Sequence, residues 1–405
     1  MATGALLDVA TDFPVLQREG LVYLDSAATA QKPQVVIDAV RDLWEHHNAS
    51  VHRGVYPLAV EATDRYEGAR RRIAQWLRWP ARDTIFTKNA TEALNLVAQA
   101  WGRANLSAGD VVVLTHLEHH SNIVPWQMVA AERGAQLRYV GVDEDGLLRL
   151  DELDELLATG DVKVVATTHV SNVTGTIVPV ADVVRRARAA GAITVVDGSQ
   201  AVPQLPVALD EVDADFYAWT GHKLYGPTGV GVLHGRHELL QEMPPFLGGG
   251  HMIASVDFET SRYADTPAKF EAGTSPIAEA AGLGVAVDWV DGLGMDAIRA
   301  HELDVTAYAL ERLGEVDGLT IHGPRDAEQR GALVSWSMDV AHPHDVAEVL
   351  GRRGVCIRAG HHCAQVLMRV LGTSATSRAS FAVHTTRAEV DALVEGLAEV
   401  RRIFA

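Results

Sequence analysis

Six short apolar runs recur between residues 80 and 240, and stretches with helical character separate them. The runs cover residues 84–87, 111–115, 162–167, 193–197, 216–220 and 229–233. The intervening helices are predicted at 91–101, 151–158 and 180–190. Runs that are apolar throughout, rather than alternating, are typical of strands buried on both faces of a mostly parallel sheet. The pattern therefore predicts a doubly wound α/β unit.

This alternation does not continue to the end of the chain. Long helices are predicted within 276–314, short strands at 319–322, 331–338 and 355–358, and helices at 346–353 and 388–403. A chain of 405 residues is long enough for two domains. We expect a large α/β domain over residues 20–262 and a smaller α+β domain formed by 1–19 and 263–405.

Charge and cysteine content exclude several classes of protein. The chain has 35 basic and 53 acidic residues, a net charge of −18, so nucleic acid is not an expected partner. Two cysteines exclude a disulfide framework and a four-cysteine metal site within one chain. Neither a signal peptide nor a membrane span is recognisable, and we expect a cytoplasmic protein.

Polar residues follow the predicted strands at the points where the strands end. In open α/β sheets, ligands bind beyond the carboxyl ends of the strands. The residues in this position are 89–92, His116, His119, His120, 168–172, 197–200 and 220–223. Because they come from five strands, they predict one site along this edge.

Lys223 is the first candidate for chemistry at that edge. Only five of the 35 basic residues are lysines, and arginine cannot act as an amine nucleophile. Lys223 follows a strand and precedes a glycine-rich turn, where it can form a Schiff base with an aldehyde cofactor. Asp197 ends a neighbouring strand and can hold a pyridine nitrogen in its protonated form. The alternatives are a surface lysine and a turn aspartate.

Three further groups have both a functional and a structural interpretation. Thr91 and Glu92 begin a helix, which favours an anion site or simple N-capping. The histidines at 116–120 and 361–362 do not have zinc-ligand spacing, so no metal site is predicted, and His120 is expected to stack on a planar cofactor. Arg378 is either a surface residue or a clamp for a carboxylate.

The two cysteines differ in their surroundings. Cys363 lies close to two histidines and an arginine in a loop that contains glycine, and cationic neighbours favour the reactive thiolate. Cys356 lies within an apolar run and is expected to be a core residue. We therefore predict Cys363 as the reactive thiol.

Taken in order along residues 12–405, the motifs resemble those of the pyridoxal-phosphate-dependent cysteine desulfurases of the SufS-like type, also called group II. The matching segments are 23–29 (YLDSAAT), 51–54 (VHRG), 118–122 (EHHSN), 169–175 (HVSNVTG), 196–201 (VDGSQA), 221–229 (GHKLYGPTG), 270–274 (FEAGT) and 358–364 (RAGHHCA). The resemblance implies fold type I of the pyridoxal-phosphate enzymes, with a seven-stranded sheet and a homodimeric assembly. The implied reaction removes sulfur from L-cysteine, leaving L-alanine.

The resemblance also implies a role for each site residue. Lys223 would hold the cofactor and move the Cα proton, and His120 would stack on the ring and assist proton transfer as a catalytic residue. Cys363 would accept the sulfur as a persulfide for iron–sulfur cluster assembly. The persulfide would pass to a SufU-like or SufE-like acceptor. The implied cofactor contacts are Thr91, the Glu92 backbone, His120, Asp197, Gln200, Thr220, His222, and Thr274 from the other subunit. The implied substrate contacts are Asn172, Arg358 and Arg378.

The chain departs from the family pattern at Tyr56, Pro57, His251, Ala268 and Gln365. None of these changes removes a predicted catalytic group. Two alternatives share the motifs: a selenocysteine lyase, and another fold-type-I enzyme such as an aminotransferase, which would not need Cys363. A third is a non-catalytic sulfur carrier or assembly scaffold of the same fold, in which Lys223 would hold no cofactor.

Overall fold

A computed structural model describes residues 7–405, and a seven-stranded sheet forms the centre of its larger unit. The strands are β1 (Thr84–Thr87), β2 (Val111–Thr115), β3 (Gln136–Val140), β4 (Val162–Thr168), β5 (Ile193–Asp197), β6 (Phe216–Thr220) and β7 (Gly231–Gly235). Their order is β1-β7-β6-β5-β4-β2-β3. All neighbours are parallel except β7, which is antiparallel to β1 and β6. The predicted α/β class with a mostly parallel seven-stranded sheet is confirmed.

Two apolar clusters cover the opposite faces of this sheet. Val113, Val165 and Val196 belong to one cluster, and the preceding residues of the same strands belong to the other. Successive side chains of a strand point to opposite faces, so strands covered on both sides need continuous apolar runs. The sequence pattern missed β3 because this edge strand alternates, with Gln136 and Arg138 exposed.

Helices surround the large sheet and end close to the predicted positions. They span Gln34–His46, Pro57–Trp76, Ala90–Leu96, Arg103–Asn105, Val124–Arg133, Leu150–Leu157, Val180–Ala189, Leu209–Val212 and His237–Glu242. The helix predicted at 91–101 is α-helical only to Leu96 and continues as a π-helical segment, Val97–Gly102. Asn89 caps its start by accepting the N–H of Glu92.

A smaller antiparallel sheet carries the C-terminal part of the chain. Its strands are β8 (Leu319–His322), β9 (Leu333–Met338), β10 (Arg358–Gly360) and β11 (Thr376–Ser380), in the order β8-β9-β11-β10. The strand predicted at 355–358 is divided: Val355–Cys356 pairs with Val22–Tyr23, and the next residues form β10. A separate hairpin joins Ile253–Val256 to Ser261–Tyr263.

The C-terminal part of the chain also contains five helices: Ile277–Leu293, Met295–Gly314, Pro343–Arg352, Gln365–Val370 and Arg387–Phe404. The first packs against Gln34–His46 and Pro57–Trp76 of the large unit, and the second packs against Arg387–Phe404. Residues after 262 thus contribute to both units, and the exact domain division stays a prediction. Within residues 7–405, no helix has both the length and the apolar character needed to cross a membrane.

Candidate active site

A cavity of about 520 Å³ opens at the carboxyl ends of β4, β5 and β6. Its walls come from the ends of these strands and from the segment that follows β10. Ten of the predicted site residues line it: Thr91, Asn172, Asp197, Gln200, Thr220, His222, Lys223, Arg358, Cys363 and Arg378. The residues at the strand ends and the loop that carries Cys363 therefore line the same cavity.

Lys223 lies in a 3₁₀ turn, Gly221–Lys223, directly after β6. Burial lowers the pKa of its amine to about 8, although the nearby charge of Asp197 acts in the opposite direction. Asp197 ends β5 and accepts the N–H of Ser199 at 3.0 Å. A lowered pKa increases the share of neutral amine, which is the nucleophilic form.

Two buried hydroxyl groups on the cavity wall lack a hydrogen-bond partner among the described residues. They are the Oγ1 of Thr220 and the Oγ of Ser199. Buried polar atoms without partners are uncommon, and a bound anion would satisfy both. Thr91, in the first turn of Ala90–Leu96, lines the same cavity. These residues fit a phosphate group.

Arg358 and Arg378 face each other across β10 and β11, and both reach the carboxylate of Asp25. Arg378 Nη2 lies 3.1 Å from Asp25 Oδ1, and Arg358 Nε lies 3.3 Å from Asp25 Oδ2. Arg378 also donates to the carbonyl of Asn172 at 2.9 Å, while its buried Nε has no partner in the described chain. Asp25 thus holds both arginines that were predicted to bind a carboxylate.

Sequence reasoning did not single out Asp25 as a functional residue. The only signal was its place in the matching segment 23–29. Burial raises the pKa of Asp25, and the two arginines oppose that shift. One carboxylate between two guanidinium groups leaves a single net positive charge, which suits one substrate carboxylate.

The loop that carries Cys363 is fastened to the large unit. His120 donates its backbone N–H to the Cys363 carbonyl at 2.7 Å and accepts the N–H of Gln365 on Nε2 at 3.0 Å. Asn172 donates to the His362 carbonyl at 2.7 Å. His362 and Cys363 have φ values of 51° and 56°, a left-handed conformation that is unusual for two successive non-glycine residues. These hydrogen bonds hold an exposed thiol at the cavity.

The histidine on the cavity wall is His119, whereas His120 was expected from the sequence to face the cofactor. His119 lines the cavity, and burial followed by the charge of Lys223 lowers its pKa to about 4. His120, which was expected to stack on the cofactor, is absent from the cavity wall and contacts the cysteine loop instead. Consecutive side chains at the start of the 3₁₀ turn His120–Asn122 point in different directions, and a pair of histidines in a sequence does not reveal which one faces the ligand.

Glu92 and Thr274, both predicted cofactor contacts, line a second cavity of about 370 Å³. The N–H of Glu92 donates to Asn89 at 3.0 Å. Beside Thr274, the buried carboxylate of Glu271 accepts from Arg70 at 2.8 Å and from the Phe86 N–H at 2.7 Å. The structure therefore does not bring these two residues to the first cavity within one chain.

The structure also locates Gln200 and His222, two predicted cofactor contacts, and the second cysteine, Cys356. Gln200 donates to the carbonyl of Ala27 at 2.9 Å, and His222 contacts Thr29 at 3.2 Å. Cys356, expected in the core, is half-buried beside the backbone of Gly354. It lies apart from the cavity, since only Cys363 of the two thiols lines it.

A family model described as aminotransferase class-V matches residues 22–393. The chain belongs to this family. A probable cysteine desulfurase of Streptomyces coelicolor is 51% identical over 403 residues, covering 97% of this chain and 96% of the relative. The cysteine desulfurase of Haloferax volcanii is 44% identical over 415 residues, and the alignment covers 98% of this chain and 97% of the relative.

Solved structures of cysteine desulfurases have the same fold as this chain. The cysteine desulfurase CsdA of Escherichia coli matches with a TM-score of 0.91 and 37% identity over 98% of each chain. The apo cysteine desulfurase of Thermococcus onnurineus NA1 matches with a TM-score of 0.93 and 35% identity over 97% of each chain. These matches confirm fold type I of the pyridoxal-phosphate enzymes. The unpartnered hydroxyls, the amine of Lys223 and the carboxylate of Asp197 fit the phosphate, aldehyde and ring nitrogen of that cofactor.

Proposed function

We propose that this chain is a pyridoxal-phosphate-dependent cysteine desulfurase that moves sulfur from L-cysteine to Cys363 and leaves L-alanine. One observation carries the assignment of roles: an amine, a thiol and a pair of arginines line a single cavity. The family and the relatives described above support the activity. The sequence-based prediction of this enzyme class and cofactor is confirmed at that level, and the residue roles below are proposals.

Four groups would hold the cofactor. Thr91 and Thr220 would bind its phosphate, Asp197 would pair with its ring nitrogen, and Lys223 would bind its aldehyde carbon through the amine. When bound, pyridoxal phosphate withdraws electrons from the substrate Cα. We assign the cavity histidine His119, in place of His120, to the contact with the cofactor, because His119 lies on the cavity wall.

The substrate carboxylate would bind between Arg358 and Arg378. The unpartnered Nε of Arg378 provides a free donor, and Asn172 adds an amide close by. Asp25 fixes the direction of both guanidinium groups. This clamp orients the amino acid so that its Cα–H faces Lys223 and its sulfur faces Cys363.

Once the amino group of the substrate has released its amine, Lys223 would serve as the general base, since a free neutral amine can accept the Cα proton. Cys363 then attacks the substrate sulfur as a thiolate. A sulfur–sulfur bond forms while the bond between substrate Cβ and sulfur breaks, and the electron pair of that bond stays on carbon. The three-carbon fragment takes up protons and leaves as alanine, with the sulfur retained on Cys363.

Further proposals concern the assembly and the sulfur acceptor. Thr274 lies outside the first cavity, which supports a role in the cofactor site of a second subunit in a homodimer. Cys363 is exposed, which supports transfer of the persulfide to a SufU-like or SufE-like protein for iron–sulfur cluster assembly. The segment RAGHHCA supports the SufS-like type. A cytoplasmic location stays a prediction.

The direct test incubates the purified holoenzyme with L-cysteine and a thiol reductant and measures sulfide and alanine together. We expect equal amounts of both. Cys363→Ser should abolish sulfide release while the cofactor absorbance still responds to L-cysteine, and the matched variant Cys356→Ser should keep full turnover. Pyruvate without sulfide, or equal turnover in both cysteine variants, would refute the proposal.

Two measurements separate the alternatives. A selenocysteine lyase that does not use Cys363 would release selenide from L-selenocysteine equally well in Cys363→Ser. A non-catalytic scaffold would neither contain nor take up pyridoxal phosphate. The histidine assignment is tested by His119→Ala and His120→Ala: we expect only the former to shift the visible absorbance of the bound cofactor.

A further inference from the structure

Three potential metal ligands from distant parts of the chain meet beside the cavity. They are His120, which follows β2, and His361 and Cys363, which follow β10. One nitrogen of each imidazole and the cysteine sulfur all lie within 4.8 Å of one another. In the sequence, neither histidine run has the spacing of a metal site, because the site needs one ligand from the first run and two from the second.

The distances between these three atoms are close to the distances between the ligand atoms of a bound ion. Zinc–nitrogen bonds of about 2.0 Å and a zinc–sulfur bond of about 2.3 Å place tetrahedral ligands roughly 3.3–3.6 Å apart. Since no two of these atoms are more than 4.8 Å apart, each distance has to shorten by at most about 1.5 Å for the ion to bind. His361 and Cys363 are exposed, so rotation of their side chains can supply this movement.

The positions of His119 and His120 favour this cluster. His119 faces the cofactor cavity, so His120 is not needed there. The ring centroids of His120 and His361 lie 5.5 Å apart, with 35° between the ring planes. Both imidazoles already accept a backbone N–H, from Gln365 and Cys363 respectively.

We propose that His120, His361 and Cys363 form a binding site for a thiophilic divalent cation of the zinc class, with solvent in the fourth position. Two imidazoles and a thiolate are preferred ligands of Zn²⁺ and Cd²⁺, and three protein ligands leave one open coordination position. On binding, the thiol loses its proton to solvent and its sulfur becomes a metal ligand.

The consequence for the enzyme rests on the proposed function. A sulfur bound to the metal cannot attack a substrate sulfur, so the ion would block sulfur transfer and leave the cofactor pocket accessible. The site would therefore act as a reversible metal-dependent inhibitor site on the nucleophile.

The test titrates the holoenzyme with Cd²⁺ in buffer free of thiols and chelators and follows the ultraviolet charge-transfer absorbance of the thiolate–cadmium bond. We expect one equivalent per chain, displaced by Zn²⁺ and by excess chelator. Cys363→Ser should lose the absorbance, and His361→Ala should bind at least tenfold more weakly. The matched controls Cys356→Ser and His46→Ala, at a second thiol and an exposed histidine, should titrate like the unchanged protein.

An unchanged Cd²⁺ affinity in His361→Ala would mean that the metal binds the thiol alone, and an unchanged Zn²⁺ affinity in Cys363→Ser would place the ion elsewhere; either result overturns the proposal. The visible absorbance of the cofactor verifies that each variant is folded. Because the cadmium signal needs no turnover, failure of the metal site and failure of the desulfurase activity are distinguishable.

Discussion

The acidity of Lys223 leads to a quantitative prediction about cofactor loading. The pKa of this amine falls from 10.5 to about 8, with burial as the main cause. At pH 7 about one amine in ten is then neutral, against roughly one in three thousand for an ordinary lysine. Since only the neutral amine attacks an aldehyde, Lys223 should react about 300-fold faster at this pH than an exposed lysine of equal nucleophilicity.

The assay mixes apoenzyme with pyridoxal phosphate between pH 6 and 10 and follows covalent uptake by absorbance. A simple primary amine measured in parallel corrects for the ionisation of the cofactor itself. After this correction, the rate should rise about tenfold per pH unit below pH 8 and level off above it. Lys223→Arg should take up no cofactor covalently, because arginine keeps its proton.

A corrected rate that keeps rising tenfold per unit to pH 10 would refute the reasoning. It would mean that the amine remains an ordinary solvated ammonium group and that burial in the cavity does not affect it. A midpoint well below pH 8 would instead mean that the opposing charge of Asp197 contributes less than the structure indicates.

Three further predictions concern buried carboxyl groups. Asp25→Asn removes the charge-assisted contact of Asp25 with Arg358 and Arg378, which is worth about 1.5–3 kcal/mol. The KM for L-cysteine should therefore rise about 10- to 100-fold, with a smaller change in kcat. A fall in kcat at constant KM would contradict the positioning role of Asp25. Glu271→Ala removes one of the two carboxylates that pair with the buried Arg70, while Glu67 remains, and should lower the free energy of unfolding by about 1–3 kcal/mol in urea titrations, whereas the control Glu279→Ala should not, and equal midpoints would oppose this. Burial raises the pKa of Glu118 from 4.5 to about 8. Between pH 4.5 and pH 8 the folded protein therefore keeps a proton that the unfolded chain has lost, and the free energy of unfolding should fall as the pH rises through this range. Glu118→Gln should remove this dependence, and an unchanged pH profile of stability would contradict the assignment.

Much of the fold could be predicted because the pattern that specifies it is local. The centres of β2, β4 and β5 are continuous runs of apolar residues, and a sheet covered on both faces needs such runs. The edge strand β3 was missed because half of it faces solvent. The break between Val355–Cys356 and β10 was also missed, since pairing with Val22–Tyr23 depends on a segment more than 300 residues away.

The chemistry of Lys223, Asp197 and Cys363 was visible in the sequence by itself, because the position of each residue next to a strand end or a glycine-containing loop is a local property. Tertiary structure decided the rest. It placed His119 on the cavity wall, turned His120 toward the cysteine loop, and brought Asp25 between two arginines of another sheet. Neighbouring side chains diverge, and residues hundreds of positions apart converge, only when the chain has folded. The partners of a residue and the direction of its side chain are therefore not encoded in its immediate neighbours.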